Sequence, residues 1–331
     1  MRALVVKLSS LGDLFNAMPA VQLVRRHTGA TIEWVTQPEY VSLVRLVRGV
    51  DRVIAYPRRN FYTAWPAFRR ELRREKHDLV LDFQGLLKSA LVCRLAGGRR
   101  MIAPSFSREG SAFFLHQRAA PSAEGPRHAV DQCLDTVRHL GLPVDRVQWG
   151  IDFPAADLPG SAPHIALAPF SRWSAKNWPL QRFRILAADL LRDTCGTLHL
   201  MGGPADRDAC EALAREFGPR VLNHAGTTDL PQTGGLLARM DLLITNDSGP
   251  MHMACAAGTR VLALFGPTDA RRTGPYGDRH VVLQSPVFTP ADVERSAYKS
   301  GDPRWMDAIE TSDVLRAALD LLGSSFVRSQ T

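Results

Sequence analysis

The sequence predicts an α/β chain of two doubly wound, Rossmann-like domains, the first over residues 1–155 and the second over 162–310. Three observations carry that expectation. Short β-branched runs alternate with amphipathic segments, the pattern of parallel strands covered by helices. The alternation stops in a Pro/Gly/Ser-rich stretch, Phe153 to Pro163, and then restarts. A length of 331 residues is also long for one core and natural for two domains of roughly 150 residues.

In the first half, strands are expected at Ala3–Lys7, Thr31–Thr36, Arg52–Tyr56, Asp78–Phe83 and Arg100–Ala103. Helical spacing falls at Asp13–His27, Val41–Val47, Pro66–Lys76, Leu86–Leu95 and His128–Leu140. After the linker, strands are expected at His164–Ala168, Thr197–Met201, Val221–His224, Asp241–Asn246 and Arg260–Phe265. Helices are expected at Leu180–Arg192, Arg207–Phe217, Thr233–Met240 and Gly249–Ala257. Ser312 is the expected N-cap of a last helix, Asp313–Leu322. This C-terminal helix, 312–323, is the element given the option of packing back on the first domain. Two doubly wound domains place a ligand in a central cleft, at the carboxyl ends of both sheets.

Composition narrows the function classes. The apolar fraction of 45% suits a globular core, and no apolar run approaches the roughly 20 residues of a membrane span. Met1 to Leu8 reads as a strand rather than a signal peptide, so the expectation is a cytoplasmic protein, at most peripheral on a membrane. The five cysteines are scattered without a C-x-x-C pair, which favours reduced, buried thiols over disulfides or zinc. Residues 1–157 hold 23 Lys+Arg against 15 Asp+Glu, whereas 158–331 hold 18 of each. The whole net charge of +8 therefore sits in the first half, pointing to an anionic partner there or to a solvated arginine surface.

Five stretches could carry chemistry. Lys7-Leu8-Ser9-Ser10-Leu11-Gly12-Asp13 runs off the first strand into the first helix. Asp13 there suits a general base for a hydroxyl, or equally a carboxylate that complements the helix dipole. No GxGxxG loop is present. Asn246-Asp247-Ser248-Gly249-Pro250-Met251-His252 leaves a strongly apolar strand and opens a helix. The amides of Ser248 and Gly249 at that helix terminus suit a diphosphate, with Asp247 for sugar hydroxyls and His252 near the same anion. The alternative is a plain turn with a core histidine.

In Ser171 to Pro179, Lys176 is one of only five lysines among 41 basic residues. It suits a point charge for a leaving diphosphate, with Ser171 as a donor, or a solvated loop residue. Asp82 to Ser89 brings Gln84 and Lys88 to a strand end, and Arg58, Arg59, Arg108 and His128 are further polar candidates in that half. Phe61 to Arg74 interleaves aromatics with arginines, as in a helix lying on an anionic membrane or one with a buried aromatic face.

Taken together, these stretches resemble glycosyltransferase family 9, the ADP-heptose:lipopolysaccharide heptosyltransferases, over about residues 1–322. The resemblance rests on K-L-S-S-L-G-D, D-F-Q-G-L-L-K-S-A, N-D-S-G-P-M-H, and Phe265–Asp269 with Gly274–Gly277. The closing Trp305-Met306-Asp307-Ala308-Ile309 is similar too. Gln84–Ala90, Ser107–Glu109 and His128–Asp131 are most similar to the heptosyltransferase I branch, which adds the first heptose to the Kdo sugars of lipid A. Asn16, Arg172, Trp173 and Asn223 depart from the family pattern.

The resemblance implies the GT-B fold and an inverting transfer from ADP-L-glycero-D-manno-heptose to the Kdo/inner-core region of lipopolysaccharide. It implies Asp13 as the base, and Ser171, Lys176, Ser248, Gly249 and His252 on the ADP diphosphate, with Asp247 on the heptose. It further implies Lys7, Ser10, Arg58, Arg59, Gln84, Lys88, Arg108 and His128 around a Kdo-lipid A or related anionic glycolipid acceptor. No metal, no cofactor and no nucleic acid are expected, and the anionic inner face of the inner membrane is an expected partner. The competing readings are a family 9 transferase for a later heptose or another sugar and acceptor, and a catalytically silent nucleotide-sugar-binding module.

Overall fold

The computed structural model describes residues 1–58, 61–289 and 302–323, excluding the side chains of residues 61 and 62. It divides into two compact units, Met1–Asp152 and Phe153–Thr331. The first unit holds strands β1 (Arg2–Val6), β2 (Thr31–Thr36), β3 (Val50–Ala55), β4 (Leu79–Asp82), β5 (Arg100–Ala103) and β6 (Gln117–Arg118). The second holds β7 (His164–Ala168), β8 (Thr197–Leu200), β9 (Val221–Asn223), β10 (Leu242–Asn246), β11 (Arg260–Phe265) and β12 (Val281–Gln284). Each set forms one six-stranded sheet, ordered β3-β2-β1-β4-β5-β6 and β12-β11-β10-β7-β8-β9. Every pairing in both is parallel.

Counted from the first strand of each unit, both orders are the same Rossmann winding. Each direction of winding reverses between the first and fourth strand, β1/β4 and β7/β10, where loops at the carboxyl ends part and leave room for a ligand. The central strands explain why. Leu4, Val5 and Val6 of β1, and Leu242, Leu243 and Ile244 of β10, are wholly buried. Apolar on both faces, such strands are stable only when flanked by neighbours and covered by helices.

The helices are α1 (Leu11–Thr28), α2 (Val41–Val44), α3 (Phe61–Leu72), α4 (Leu87–Ala96) and α5 (Ala129–His139) in the first unit. The second carries α6 (Leu180–Asp193), α7 (Arg207–Phe217), α8 (Leu230–Leu237), α9 (Gly249–Ala257), α10 (Ala270–Thr273), α11 (Arg304–Asp307) and α12 (Thr311–Leu322). Helix α1 is buried from Leu14 to Val21, packs against α5, and stops at Gly29, whose φ of 62° closes a left-handed cap onto Arg25.

Four expectations need correction. Helix α12 packs on α6, β10 and β11, with Val314, Ala318 and Leu322 in the core of the second unit. Its N-cap is Glu310, and Ser312 lies inside the helix. Strands β6 and β12 are additions at sheet edges, too short and too half-exposed to give a periodic signal. Pro66 sits within α3, not at its start. Of the cysteines, Cys93, Cys133, Cys210 and Cys255 are buried and free, but Cys195 is exposed. Burial pushes the Cys133, Cys210 and Cys255 thiols up to about 12.

Candidate active site

The loops at the carboxyl ends of β1 and β4 are stitched together by buried polar groups. Gln84 Oε1 accepts the amides of Leu8 and Ser9, each at 3.0 Å. Asp82, wholly buried, accepts Gln84 N at 2.8 Å and Gly85 N at 3.1 Å through Oδ1, and Ser89 Oγ at 3.0 Å through Oδ2. Burial raises the Asp82 carboxyl to about 6, against the pull of those hydrogen bonds and of Lys7. Lys7 is 5% exposed and its Nζ donates to Phe83 O at 2.8 Å. Its ammonium therefore joins β1 to the turn after β4, a structural task beside the acceptor role expected for it.

Asp13 occupies the first turn of α1. Ser10 donates to Asp13 Oδ2 from its amide at 3.0 Å and its hydroxyl at 2.9 Å. The capping geometry and the expected base thus coincide in one residue: the hydrogen bonds orient the carboxylate at the end of β1. Lys88 is exposed on α4, and Arg108 is exposed while its amide donates to Gly85 O at 2.8 Å. The loop after β5 is so drawn onto the turn after β4. His128 caps α5, its Nδ1 accepting Val130 N at 3.1 Å.

Arg58 is exposed at 3.6 Å from Glu39, and Arg59 lies outside the described residues. In the aromatic-arginine stretch, Phe68 and Leu72 are buried and Trp65 leans on Phe68 at 5.5 Å, while Arg69, Arg70, Arg73 and Arg74 are exposed. The helix has a buried aromatic face and a solvated arginine face.

In the second unit, Lys176 Nζ lies 2.6 Å from Asp247 Oδ2, and Thr268 Oγ1 donates to the same oxygen at 2.9 Å. Asp247, 8% exposed, immediately precedes the N-cap of α9, Ser248, whose Oγ is 3.1 Å from Thr245 Oγ1. Gly249 opens α9 and His252 is buried one turn in. An ammonium beside the positive end of a helix favours an anion. The two expected partners of a nucleotide sugar, Lys176 and Asp247, are thus bonded to each other.

Asn246 holds this arrangement to the loop after β7, accepting Trp178 N at 3.0 Å and donating to Pro169 O at 2.7 Å. Ser171 Oγ donates to Asn177 Oδ1 at 2.7 Å. Trp178 Nε1 in turn donates to Ile309 O at 3.0 Å, so the C-terminal segment braces the same loop. Thr268, Asn177 and Asn246 were not singled out from the sequence. All three lie inside quoted stretches, but a neutral side chain between charged neighbours gives no separate signal.

Asn223, one of the departures, donates to Glu211 Oε2 at 3.0 Å, so folding brings a carboxylate to it. An acidic D-x-D triplet occurs in the sequence, Asp206-Arg207-Asp208. Asp206 accepts Gly203 N at 2.8 Å, which tightens a turn. Among the described residues no group of His, Cys, Asp or Glu is arranged to hold a metal ion. Three histidines form a chain across β7, β8 and the end of β9: His164 Nδ1 to His199 Nε2 at 3.1 Å, and His199 Nδ1 to His224 Nε2 at 3.0 Å. Burial first, then the neighbouring rings, lowers His199 to about 3; burial lowers His224 as well.

The family model for glycosyltransferase family 9 (heptosyltransferase) matches residues 65–299. Lipopolysaccharide heptosyltransferase 1 of Pseudomonas aeruginosa is 31% identical over 304 residues, covering 86% of this chain and 84% of that protein. The protein of the same name from Escherichia coli K12 is 29% identical, covering 86% and 94%. Among solved structures, the E. coli heptosyltransferase WaaC with ADP is similar with a TM-score of 0.82 at 23% identity, over 97% of this chain and all of that one. A glycosyl transferase family 9 structure from Veillonella parvula reaches 0.85 at 21% identity, over 97% of each chain. These likenesses establish the α/β fold as that of the GT-B heptosyltransferases. Among the described residues no helix is long and apolar enough to cross a membrane.

Proposed function

This chain belongs to glycosyltransferase family 9, and on that premise we propose that it transfers heptose from ADP-L-glycero-D-manno-heptose to the Kdo/inner-core region of lipopolysaccharide. The observation that carries the donor is the Lys176–Asp247–Thr268 cluster at the N-terminus of α9. It offers a cation and helix amides for a diphosphate and a carboxylate for sugar hydroxyls. A related structure was solved with an ADP-2-deoxy-2-fluoro heptose, which supports a donor of the same chemistry. The acceptor is an anionic glycolipid, Kdo-lipid A or a near relative, which the surplus of basic residues in the first half suits. The work is done on the cytoplasmic side, at the inner face of the inner membrane.

The reaction is a single inverting displacement. The acceptor hydroxyl oxygen attacks the anomeric carbon, the bond from that carbon to the β-phosphate oxygen breaks, and its electron pair leaves with ADP. Asp13 takes the hydroxyl proton. Lys176 and the α9 terminus, with Ser171 and His252, stabilise the departing charge, a contribution of about 2.7–4 kcal/mol for one preorganised donor. The chain's own cation serves here, with no metal and no cofactor. Incubation with ADP-heptose and Kdo-lipid A should yield the mono-heptosylated glycolipid by mass spectrometry. Asp13→Ala should bind ADP-heptose nearly as the parent does, while turnover falls by about 10²–10⁴-fold. Turnover within a few-fold of the parent would show that Asp13 is not the base.

A further inference from the structure

We propose that α4 and the tight turn Ser111–Phe114 form a membrane-docking face that inserts into an anionic phospholipid bilayer. The proposal takes from the preceding reading only that the acceptor is a glycolipid. Helix α4 buries Ala90, Val92 and Cys93 against the first unit's core, yet turns Leu87 and Leu91, four residues apart on its outer face, to solvent. The turn packs beside α4, with Phe114 exposed and Phe113 93% exposed. Large apolar groups gathered in this way mark an interaction site more often than scattered surface residues do.

The turn is not loose. Arg108 N donates to Gly85 O at 2.8 Å, Phe113 N to Gly110 O at 3.1 Å and His116 N to Met101 O at 2.9 Å. Glu109 accepts Leu87 N at 3.1 Å. The backbone therefore presents Phe113 outward at a fixed position.

Charge selects the occupant. Between residues 84 and 123 the exposed bases Lys88, Arg94, Arg99, Arg100, Arg108 and Arg118 stand against a single acid, Glu109. Exposed apolar side chains in a segment with excess positive charge match the interface of a bilayer bearing anionic headgroups. Lys88 lies on α4 itself and Arg108 on the loop bonded to Gly85, so a glycolipid acceptor would reach them from the bilayer it is anchored in.

The test is sedimentation with phosphatidylcholine vesicles, with and without phosphatidylglycerol. The parent should bind the phosphatidylglycerol vesicles with clear preference. The double variant Leu91→Ser, Phe113→Ser should lose about tenfold or more of that affinity. Arg94→Ala and Arg99→Ala should each lose about fivefold, an effect removed by salt. All keep the parent's thermal transition, because the substituted groups face solvent. Phe113→Trp should shift its emission to the blue on anionic vesicles.

Absence of vesicle binding by the parent, unchanged binding by the double variant, or an unshifted Trp emission overturns the proposal. So does self-association without vesicles that the double variant abolishes, which would assign the face to a second copy of the chain. Failed heptose transfer with vesicle binding intact would refute the proposed reaction and leave this face standing.

Discussion

At the scale of single residues, the candidate site is a set of side chains that hold one another. Asp247 accepts both the Lys176 ammonium and the Thr268 hydroxyl on one oxygen, and a hydrogen bond to a charged group is worth about 1.5–3 kcal/mol. Thr268→Val keeps the shape and removes that donor. Steady-state kinetics should show KM for ADP-heptose rising about tenfold, with kcat less affected; unchanged constants would detach Thr268 from donor binding. Lys176 is the cation proposed to meet the departing diphosphate, bonded to Asp247 at 2.6 Å, so chelation offers a second check. Addition of EDTA should leave the transfer rate unchanged, and a collapse restored by added Mg²⁺ or Mn²⁺ would show that Lys176 does not suffice.

Residue identity was only partly legible in the sequence. Asp13, Asp247 and Lys176 draw notice as charges in loops and first turns that follow strands, yet each also has a structural reading, and Asp13 does cap α1 with Ser10. Lys7 carries the same signal, yet its ammonium is buried on Phe83 O. A sequence names the charge and not the atom that it meets.

At the scale of elements, β7, β8 and the end of β9 carry the histidine chain. A neutral imidazole has one donor and one acceptor nitrogen, so bonds from His164 through His199 to His224 can run in a single direction only. A proton added to His199 turns its acceptor into a donor and breaks that order. The folded ring titrates at about 3 against an ordinary 6.5, and burial also lowers His280, to about 4. Folded values below the unfolded ones mean that the unfolded chain binds more protons. The stability these residues contribute is therefore complete above pH 6.5 and is lost as pH falls towards 4 and then 3. Each can add at most about 1.4 kcal/mol per pH unit to the slope. Urea midpoints should start to fall below about pH 6.5, and His199→Asn should flatten that decline; a profile that is flat down to pH 4.5 or so would dismiss the histidines as its cause.

Elements were more legible than residues, and unevenly so. Strands β1 and β10 are continuous apolar runs that only a covered parallel sheet can use. Strands β6 and β12 follow from pairing: Gln117 and Arg118 extend the sheet because β5 offers an open edge, which nothing in their own composition announces. Pro66 misled for a physical reason as well, since proline favours a first helical turn but is also tolerated near one.

At the scale of the whole molecule, the second unit is closed by the far end of the chain. Trp305, Met306 and Ile309 are buried, and Val314, Ala318 and Leu322 enter the core. Gly266 leaves room for this segment: a Cβ there would lie 2.4 Å from the Met306 sulfur. Removing one buried Leu, Ile or Met side chain costs about 2–5 kcal/mol, and a domain holds only about 5–15 kcal/mol. A chain ending at Asp302 should therefore lose one calorimetric transition and all ADP binding. Survival of both would mean that the segment is an accessory. Its membership was the least legible large-scale feature, because a C-terminal amphipathic helix carries no label for the core that receives it.

The shared winding order has an evolutionary consequence. Each sheet carries its recognition loops at its own strand ends, and the plan is repeated in the second sheet. Clientele can thus change in one half without renegotiating the other. A hybrid that takes residues 153 onward from a cousin with another nucleotide preference should adopt that nucleotide and retain its original acceptor.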